Sequence, residues 1–246
     1  MIKFIIVCTK ILVLAIAALL FSSCKFDLDL GDGIDGNGNV KKETRNINEK
    51  FTKIDVSSGI EVEIEQADIT SVEVEADSNL LQHITTKVVN GTLEITTDEN
   101  IDSSKAETVR IKMPIVEALT ATSGSSIQTN NTVRGNSIQI KSSSGSEVEA
   151  TLEFENIDLE TTSGSSATLL GKVLKFSSKS SSGSKIEADK LEANEVYAQA
   201  TSGSSTNVNA ILLLNAKASS GSSINYLGKA KSVIKEETSG GSVSKN

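Results

Sequence analysis

The sequence predicts an all-β protein whose chain coils into a single-stranded β-helix, or β-solenoid, with rungs of about eighteen to twenty-one residues. Three observations predict this fold class. A Ser-Gly phrase recurs through the second half, apolar residues stand at fixed offsets from each of its glycines, and apolar and polar residues alternate from residue 51 onward. Sustained helical periodicity is absent after the first 24 residues, so no helical layer is expected.

Composition and charge exclude several classes of function. The 246 residues include 24 Lys and Arg against 32 Asp and Glu, and the formal net charge of −8 argues against a nucleic-acid partner. Aromatic residues make up 3% of the chain and Trp is absent, so aromatic platforms for sugar stacking are not expected. One His and two Cys leave few side chains for catalysis or metal binding. We predict no cofactor and no metal site.

Residues 1–23 have the order of an export signal. Lys3 and Lys10 precede an uninterrupted apolar run over residues 11–21, and two serines lead to Cys24. The run is too short for a membrane-spanning helix, which needs about 20 residues. The ending LFSSC resembles a bacterial lipobox, so we predict a lipoprotein signal peptide over 1–23 and lipidation of Cys24, whose acyl chains would hold the protein on a membrane. An uncleaved anchor, or ordinary cleavage with an incidental thiol, remains open.

Residues 24–50 are predicted to form a flexible tether. Gly, Asp and Asn dominate the stretch after Cys24, and few of its side chains could be buried. A calcium loop of the EF-hand type needs Gly at its sixth position with acidic or amide residues before it, and neither the register from Asp27 nor that from Asp35 fits this pattern. Lys25 and the aspartates after it are loosely similar to residues that follow the lipidated Cys in surface-exported lipoproteins of some Gram-negative bacteria.

Residues 51–118 are predicted to form the first, irregular rungs of the solenoid. Apolar and polar residues alternate over residues 60–64 and in several later segments, as in half-buried strands. Asn90 and Gly91 separate two such segments as a hairpin turn does. The SSG phrase at Gly59 matches the later Ser-Gly phrases, so this region is assigned to the same solenoid.

Residues 119–246 contain the Ser-Gly-Ser repeats. Phrases such as TSGSSIQ and SSGSEVE are centred on glycines that recur every eighteen to twenty-one positions along the chain. The residue three positions after the glycine is apolar in five of the first six copies, and a second apolar cluster follows ten to fifteen positions after the glycine. The segment between these two clusters differs in length from repeat to repeat. The predicted corner glycines are Gly59, Gly124, Gly145, Gly164, Gly183, Gly203, Gly221 and Gly240.

No single repeat is expected to fold alone. Burial of about five apolar side chains cannot offset the conformational entropy that about nineteen residues lose on ordering. Stacking solves this, because each strand then bonds to its counterparts above and below and the inward side chains form one continuous core. Gly adopts the positive φ of a corner, and the flanking Ser hydroxyls can bond to backbone groups or to the next rung. We expect right-handed coiling.

The Ser and Thr residues of the corners have two interpretations. They form structural ladders, or they form a flat binding face for glycans or ice; the ladders need fewer assumptions and are favoured. A serine nucleophile is not predicted, because a base is missing and the lone His83, in a short helical turn predicted over residues 78–84, is interpreted as structural. Carboxylates that alternate with apolar residues are interpreted as a solvated strand face: Glu147, Glu149, Glu187 and Asp189.

The order of these motifs resembles a known family. A lipobox, then VSSGIEVEIEQ, VEVEADSNLLQHI and NGTLEI, then the SGSS phrases and a final GKAKSVIKEETSGGSV, is similar to the auto-transporter adhesin head domain called the GIN domain. This domain is widespread in Bacteroidetes-type lipoproteins, and the resemblance covers residues 54–243. It implies a β-helical cell-envelope domain and supplies no catalytic or ligand-binding residues.

These inferences predict a lipid-anchored binding or structural module of the cell envelope, an adhesin without catalytic activity. It would be an outer-membrane lipoprotein, either surface-exposed or facing the periplasm. Its predicted partners are the membrane, through acyl chains on Cys24, and a protein or glycan ligand, but no nucleic acid. Two alternatives remain open: a β-helical polysaccharide-degrading enzyme, which the small number of Arg and Tyr residues disfavours, and a periplasmic envelope scaffold.

Overall fold

A computed structural model describes residues 33–246, which contain strands and no helix, so the all-β prediction is confirmed. No helix capable of crossing a membrane is present in this part of the chain. The predicted signal peptide and Cys24 lie outside the described residues. The strands are β1 (Ile34–Asp35), β2 (Val40–Arg45), β3 (Lys53–Val56), β4 (Glu61–Gln66), β5 (Ser71–Asp77), β6 (Ile84–Val89), β7 (Thr92–Thr97), β8 (Ile101–Ser103), β9 (Glu107–Met113), β10 (Ala118–Ala121), β11 (Ser126–Thr129), β12 (Val133–Ser142), β13 (Glu147–Thr161), β14 (Ser166–Ser180), β15 (Lys185–Ala200), β16 (Ser205–Ala218), β17 (Ser223–Leu227), β18 (Ser232–Glu237) and β19 (Ser242–Lys245).

Parallel strands stack into two columns, one on each side of the Ser-Gly corners. The pre-corner stack holds the segments that lead into a corner, in the spatial order β7, β3, β10, the C-terminal parts of β12 to β16, and β18. The post-corner stack holds β9, β4, β11, the N-terminal parts of β13 to β16, β17 and β19. This arrangement confirms the β-solenoid. The hand of its coiling stays a prediction.

In the middle of the repeat region each rung is one long bent strand. β15 runs for 16 residues, but the phase of its buried side chains changes twice. Its register with β16 breaks at the same two places, between Ala188 and Glu192 and between Ala193 and Glu195. Bulges of this kind bend a strand while the ladder on either side continues. They also absorb the differences in repeat length, which fall between the two apolar clusters as predicted.

Aliphatic and small side chains fill the interior. In the first six Ser-Gly-Ser repeats, the residues three positions after the corner glycines are all at most 1% exposed: Ile127, Val148, Ala167, Ile186, Thr206 and Ile224. The polar member, Thr206, is tolerated because its hydroxyl lies 2.7 Å from that of Ser180. Leu174, predicted to belong to the second apolar cluster, is instead 54% exposed, because β14 changes phase between the buried Val173 and Phe176.

The first rungs, residues 51–118, are ordered differently in space than in sequence. β3 and β4 form a rung around the Gly59 corner, and the rungs β7–β9 and β10–β11 stack on its two sides. Antiparallel strands complete this end: β6 pairs with β7, while β5 and then β2 extend the stack beyond β9. Between β5 and β6, the amide of Ile84 donates to the carbonyl of Leu80, as expected for a helical turn.

The predicted tether over residues 24–50 is wrong for its second half. Residues 34–45 contain β1, which pairs with β8, and β2, which pairs with β5. The guanidinium of Arg45 also donates to the carbonyl of Leu81 at 2.6 Å. β2 lies at the edge of the sheet with mostly exposed side chains, so it lacks the alternation that marks a half-buried strand.

The other end of the solenoid is closed by charged side chains. In β18, Lys235 and Glu237 stand in register with the buried Ala216 and Ala218 of the preceding rung. The ammonium of Lys235 donates to the carbonyl of Val243 at 2.9 Å, and the amide of Val243 donates to Glu237 at 2.5 Å. These bonds satisfy backbone groups of the last strand, and charges at inward positions disfavour the addition of another strand.

Candidate binding surface

The Ser-Gly corners are type I′ β-turns. At residues 122–125, Ser123 and Gly124 have φ of 53° and 73°, and the amide of Ser125 donates to the carbonyl of Thr122 at 3.2 Å. This turn requires positive φ at both central positions, which glycine adopts without steric cost. All the predicted corner glycines have φ between 69° and 78°: Gly59, Gly124, Gly145, Gly164, Gly183, Gly203, Gly221 and Gly240.

A buried serine ties every repeat corner except the last, at Gly240, to the rung before it. Ser165 is 1% exposed; its hydroxyl oxygen accepts from the amide of Thr162 at 3.2 Å, and its O–H donates to the carbonyl of Ser142 at 2.6 Å. Equivalent bonds to the preceding rung are made by Ser125, Ser146, Ser184, Ser204 and Ser222. These serines have the structural role that the sequence favoured.

A second row of serines lies at the surface and is called here the serine ridge. Its members occupy the first central position of each turn, with φ between 49° and 66°: Ser58, Ser123, Ser144, Ser163, Ser182, Ser202, Ser220 and Ser239. Residues with a Cβ adopt this region at a cost of about 1–2 kcal/mol each. The ridge backbone is bonded from rung to rung, as the amide of Gly164 donates to the carbonyl of Ser182 at 3.1 Å.

A groove runs beside the serine ridge along the pre-corner stack. It consists of three adjoining depressions of about 190, 290 and 520 Å³. The first two share Gln139 and Lys141, and the last two share Glu160 and Lys179. Because these depressions continue from rung to rung, we call the whole feature the axial groove.

A column of side chains, one from each rung, runs along the axial groove. The register places them in a single column: Asp55, Thr120, Lys141, Glu160, Lys179, Gln199, Lys217 and Glu236. The ammonium of Lys217 lies 2.8 Å from the Glu236 carboxylate. Lys141 and Lys179 form no ion pair with any residue in the part of the chain that the structure describes. At the far end, burial and the neighbouring Glu94 raise the pKa of Asp55.

The polar side chains of the post-corner stack bond to one another instead. The side-chain amide of Asn207 donates to the Glu187 carboxylate at 2.7 Å, and the side-chain amide of Asn225 donates to the side-chain oxygen of Asn207 at 3.0 Å. The hydroxyl of Ser244 donates to the side-chain oxygen of Asn225 at 2.6 Å. Lys185 pairs with the same Glu187 at 2.5 Å. These groups therefore have less capacity to bind a ligand than those of the axial groove.

Several charged groups of the first region are paired with one another. Nδ1 of His83 lies 2.9 Å from the carboxylate of Asp98. Arg110 binds Glu63 at 3.1 Å and also binds Glu75, and its hydrogen bond lowers the pKa of Glu75. Among residues 33–246, no group of three or more His, Cys, Asp or Glu is placed to hold a metal ion. The arrangement of the axial groove offers polar groups for binding.

Sequence reasoning missed the axial groove, although the sequence contains a signal for it. Its column stands four positions before each corner glycine, so that Lys141 precedes Gly145 and Lys179 precedes Gly183. Alignment of the repeats on their glycines reveals a lysine at this offset in every second copy from residue 141 to residue 217. Only the register shows that this offset faces a groove.

Comparison with known families gives a match over most of the chain. The model of a family described as "Putative auto-transporter adhesin, head GIN domain" matches residues 50–230. No protein of curated function shows significant similarity.

Solved structures share the fold at low sequence identity. A putative adhesin from Bacteroides fragilis superimposes with a TM-score of 0.82 at 19% identity, covering 87% of this chain and 100% of its own. A putative adhesin from Parabacteroides merdae gives 0.72 at 17% identity, covering 87% and 98%. A putative lipid binding protein from Parabacteroides distasonis gives 0.71 at 20% identity, covering 87% and 99%. At these identities the likeness shows the fold alone.

Proposed function

This chain belongs to the GIN-domain family of adhesin heads, and we propose that it is a lipid-anchored adhesion module that binds its ligand without chemical turnover. Acyl chains on Cys24 would hold the mature protein on the outer membrane, with the solenoid exposed at the cell surface. The sequence order of charged start, apolar run and LFSSC supports the anchor. Family membership supports the cell-envelope location.

The binding role depends on one observation above all, which is the axial groove. Its central residues Lys179 and Gln199 have no side-chain partner among residues 33–246, so their hydrogen-bonding capacity is available to a ligand. The framework beneath them is bonded from rung to rung at both strands and corners. A site built on such a framework loses little conformational entropy on binding.

Intact cells that carry the full chain provide the test. Protease added outside wild-type cells should remove the domain. Wild-type cells that have not been treated with protease should adhere to a glycan-coated surface. Cys24→Ser should leave an unprocessed precursor and abolish adherence, whereas normal maturation of this variant would overturn lipidation. Protection from external protease would indicate a periplasmic scaffold instead. Purified protein that shortens a polysaccharide would indicate an enzyme.

A further inference from the structure

Resting on the proposed adhesion function, we propose that the axial groove binds a linear glycan in which a uronic acid alternates with a neutral sugar. The glycan lies parallel to the solenoid axis, with one sugar over each rung. Its carboxylates contact Lys141 and Lys179, and its neutral sugars contact the residues between them. Three features of the groove lead to this assignment: its length, the spacing of its lysines, and the chemistry of the residues between those lysines.

The length of the groove indicates a polymer. Its column extends over seven rung steps from Asp55 to Glu236, and adjacent parallel strands lie about 4.8 Å apart, so the groove is about 34 Å long. A small ligand would contact only two or three rungs of such a surface. An extended chain can contact every rung, which provides affinity through many weak and similar contacts.

The spacing of the lysines selects the charge pattern of the ligand. Lys141, Lys179 and Lys217 stand on every second rung, about 9.6 Å apart. One sugar in an extended glycan is about as long as one rung step, so this spacing matches one carboxylate on every second sugar. Lys141 and Lys179 are available as they stand. Lys217 would exchange its contact with Glu236 for one with the ligand.

The residues between the lysines suit neutral sugars. Glu160 stands between Lys141 and Lys179, where its carboxylate can accept hydrogen bonds from sugar hydroxyls. The amide of Gln199 can donate and accept at the next such position. Glu160 would repel a glycan that carries a carboxylate on every sugar. The column thus selects an alternating chain over a fully charged one.

A peptide fits this groove less well. Peptides that bind sheets usually add a strand to a free edge. The strands beneath the groove are bonded to a neighbour on each side from β3 through β16, so the groove offers no edge within this span. Recognition must therefore use side chains, as a glycan with many hydroxyl groups allows.

The experiment measures binding of defined oligosaccharides to the full-length protein in detergent, by calorimetry at two salt concentrations. Three decasaccharides serve as probes: hyaluronan, in which glucuronic acid alternates with a neutral amino sugar; its carboxyl-reduced form; and oligoguluronate, with a carboxylate on every sugar. Hyaluronan should bind at least tenfold more tightly than either of the others. Its affinity should fall as the salt concentration rises.

Variants locate the site. Lys141→Gln with Lys179→Gln should weaken hyaluronan binding at least tenfold, while the matched pair Lys172→Gln with Lys190→Gln, exposed outside the groove, should leave it unchanged. Glu160→Gln should reduce the difference in binding affinity between hyaluronan and oligoguluronate. Circular dichroism checks that each variant is folded.

Equal binding of the carboxyl-reduced probe, or full binding by the Lys141 and Lys179 double variant, would overturn the assignment. Failure to bind any of the three probes would also overturn it. The adhesion proposal is tested separately, by the display and adherence of intact cells. That assay does not involve these oligosaccharides, so either proposal can fail without the other.

Discussion

The repeat region, residues 119–246, and the first region, residues 51–118, are built from similar rungs that are joined by different rules. In the repeat region each rung follows its spatial neighbour in sequence, and a buried serine fixes every corner except the last to the rung before it. In the first region the rungs are out of order, and Ile60 follows Gly59 where the repeats have that serine. Local repetition thus extends the solenoid, while antiparallel pairing between distant segments ends it.

The largest expected effect compares one positive-φ glycine from each region. An added Cβ at Gly171, in the repeat region, would overlap the carbonyl oxygen of Leu152, whereas a Cβ at Gly91, in the first region, would meet nothing within 4 Å. Gly171→Ala should lower the free energy of unfolding by about 3 kcal/mol or more. Gly91→Ala should cost only about 1 kcal/mol, because strain in φ is its sole penalty.

Urea denaturation of both variants measures this difference. Equal losses at Gly171 and Gly91 would contradict the close approach of rungs β13 and β14 at the bend.

A smaller effect compares the hydroxyl contacts of the two regions. Ser165→Ala removes a buried hydroxyl that bonds to Ser142 and Thr162, and leaves their backbone groups without that partner, so we expect a loss of about 1–2 kcal/mol. Ser57→Ala in the first region removes a half-buried contact to Thr96 and should cost about 0.5 kcal/mol. Thermal and urea unfolding give both values. A larger loss at Ser57 would indicate that the corner serines do not fix the repeats.

The smallest effect concerns pH at the first-region end of the axial groove. Burial, and then the charge of Glu94, raise the pKa of Asp55. The native state therefore holds this proton more tightly than the unfolded state, and stability is lost as pH rises through the folded pKa. Asp55→Asn should raise the melting temperature by about 1–2 °C at pH 7, with no gain at pH 3.

Asp158→Asn is the control for this prediction, because Asp158 is exposed in the repeat region on the same stack. A gain from Asp55→Asn that is equal at both pH values would show that removal of the charge is not its cause.

Periodicity predicted the repeat region well and the first region poorly, for physical reasons. The Ser-Gly phrases predicted the turns and the buried residues that follow them, because each depends on local geometry. The pairing of β5 with β9, and of β2 with β5, involves strands far apart in sequence, and alternation of side chains does not specify a partner. Leu174 was assigned to a buried cluster for a related reason. The apolar residues of a strand do not by themselves show where a bend changes which of them face the interior.

The axial groove was likewise predictable from the sequence only in part. The residue types of its column can be read from the repeats, but only the strand register shows that they stand side by side on one face. The exposure of this face was predictable from alternation. The depressions along this face were not predictable, because each one is formed by side chains from several rungs.

The most direct test of the stacked column is the distance between two of its members in solution. Spin labels at Lys141→Cys and Glu236→Cys should be about 24 Å apart, because five rung steps of about 4.8 Å separate these positions. We expect a narrow distribution of distances centred there, broadened only by the linkers of the labels. A broad distribution centred at about 55 Å, as expected for a flexible segment of this length, would contradict the solenoid and the groove with it.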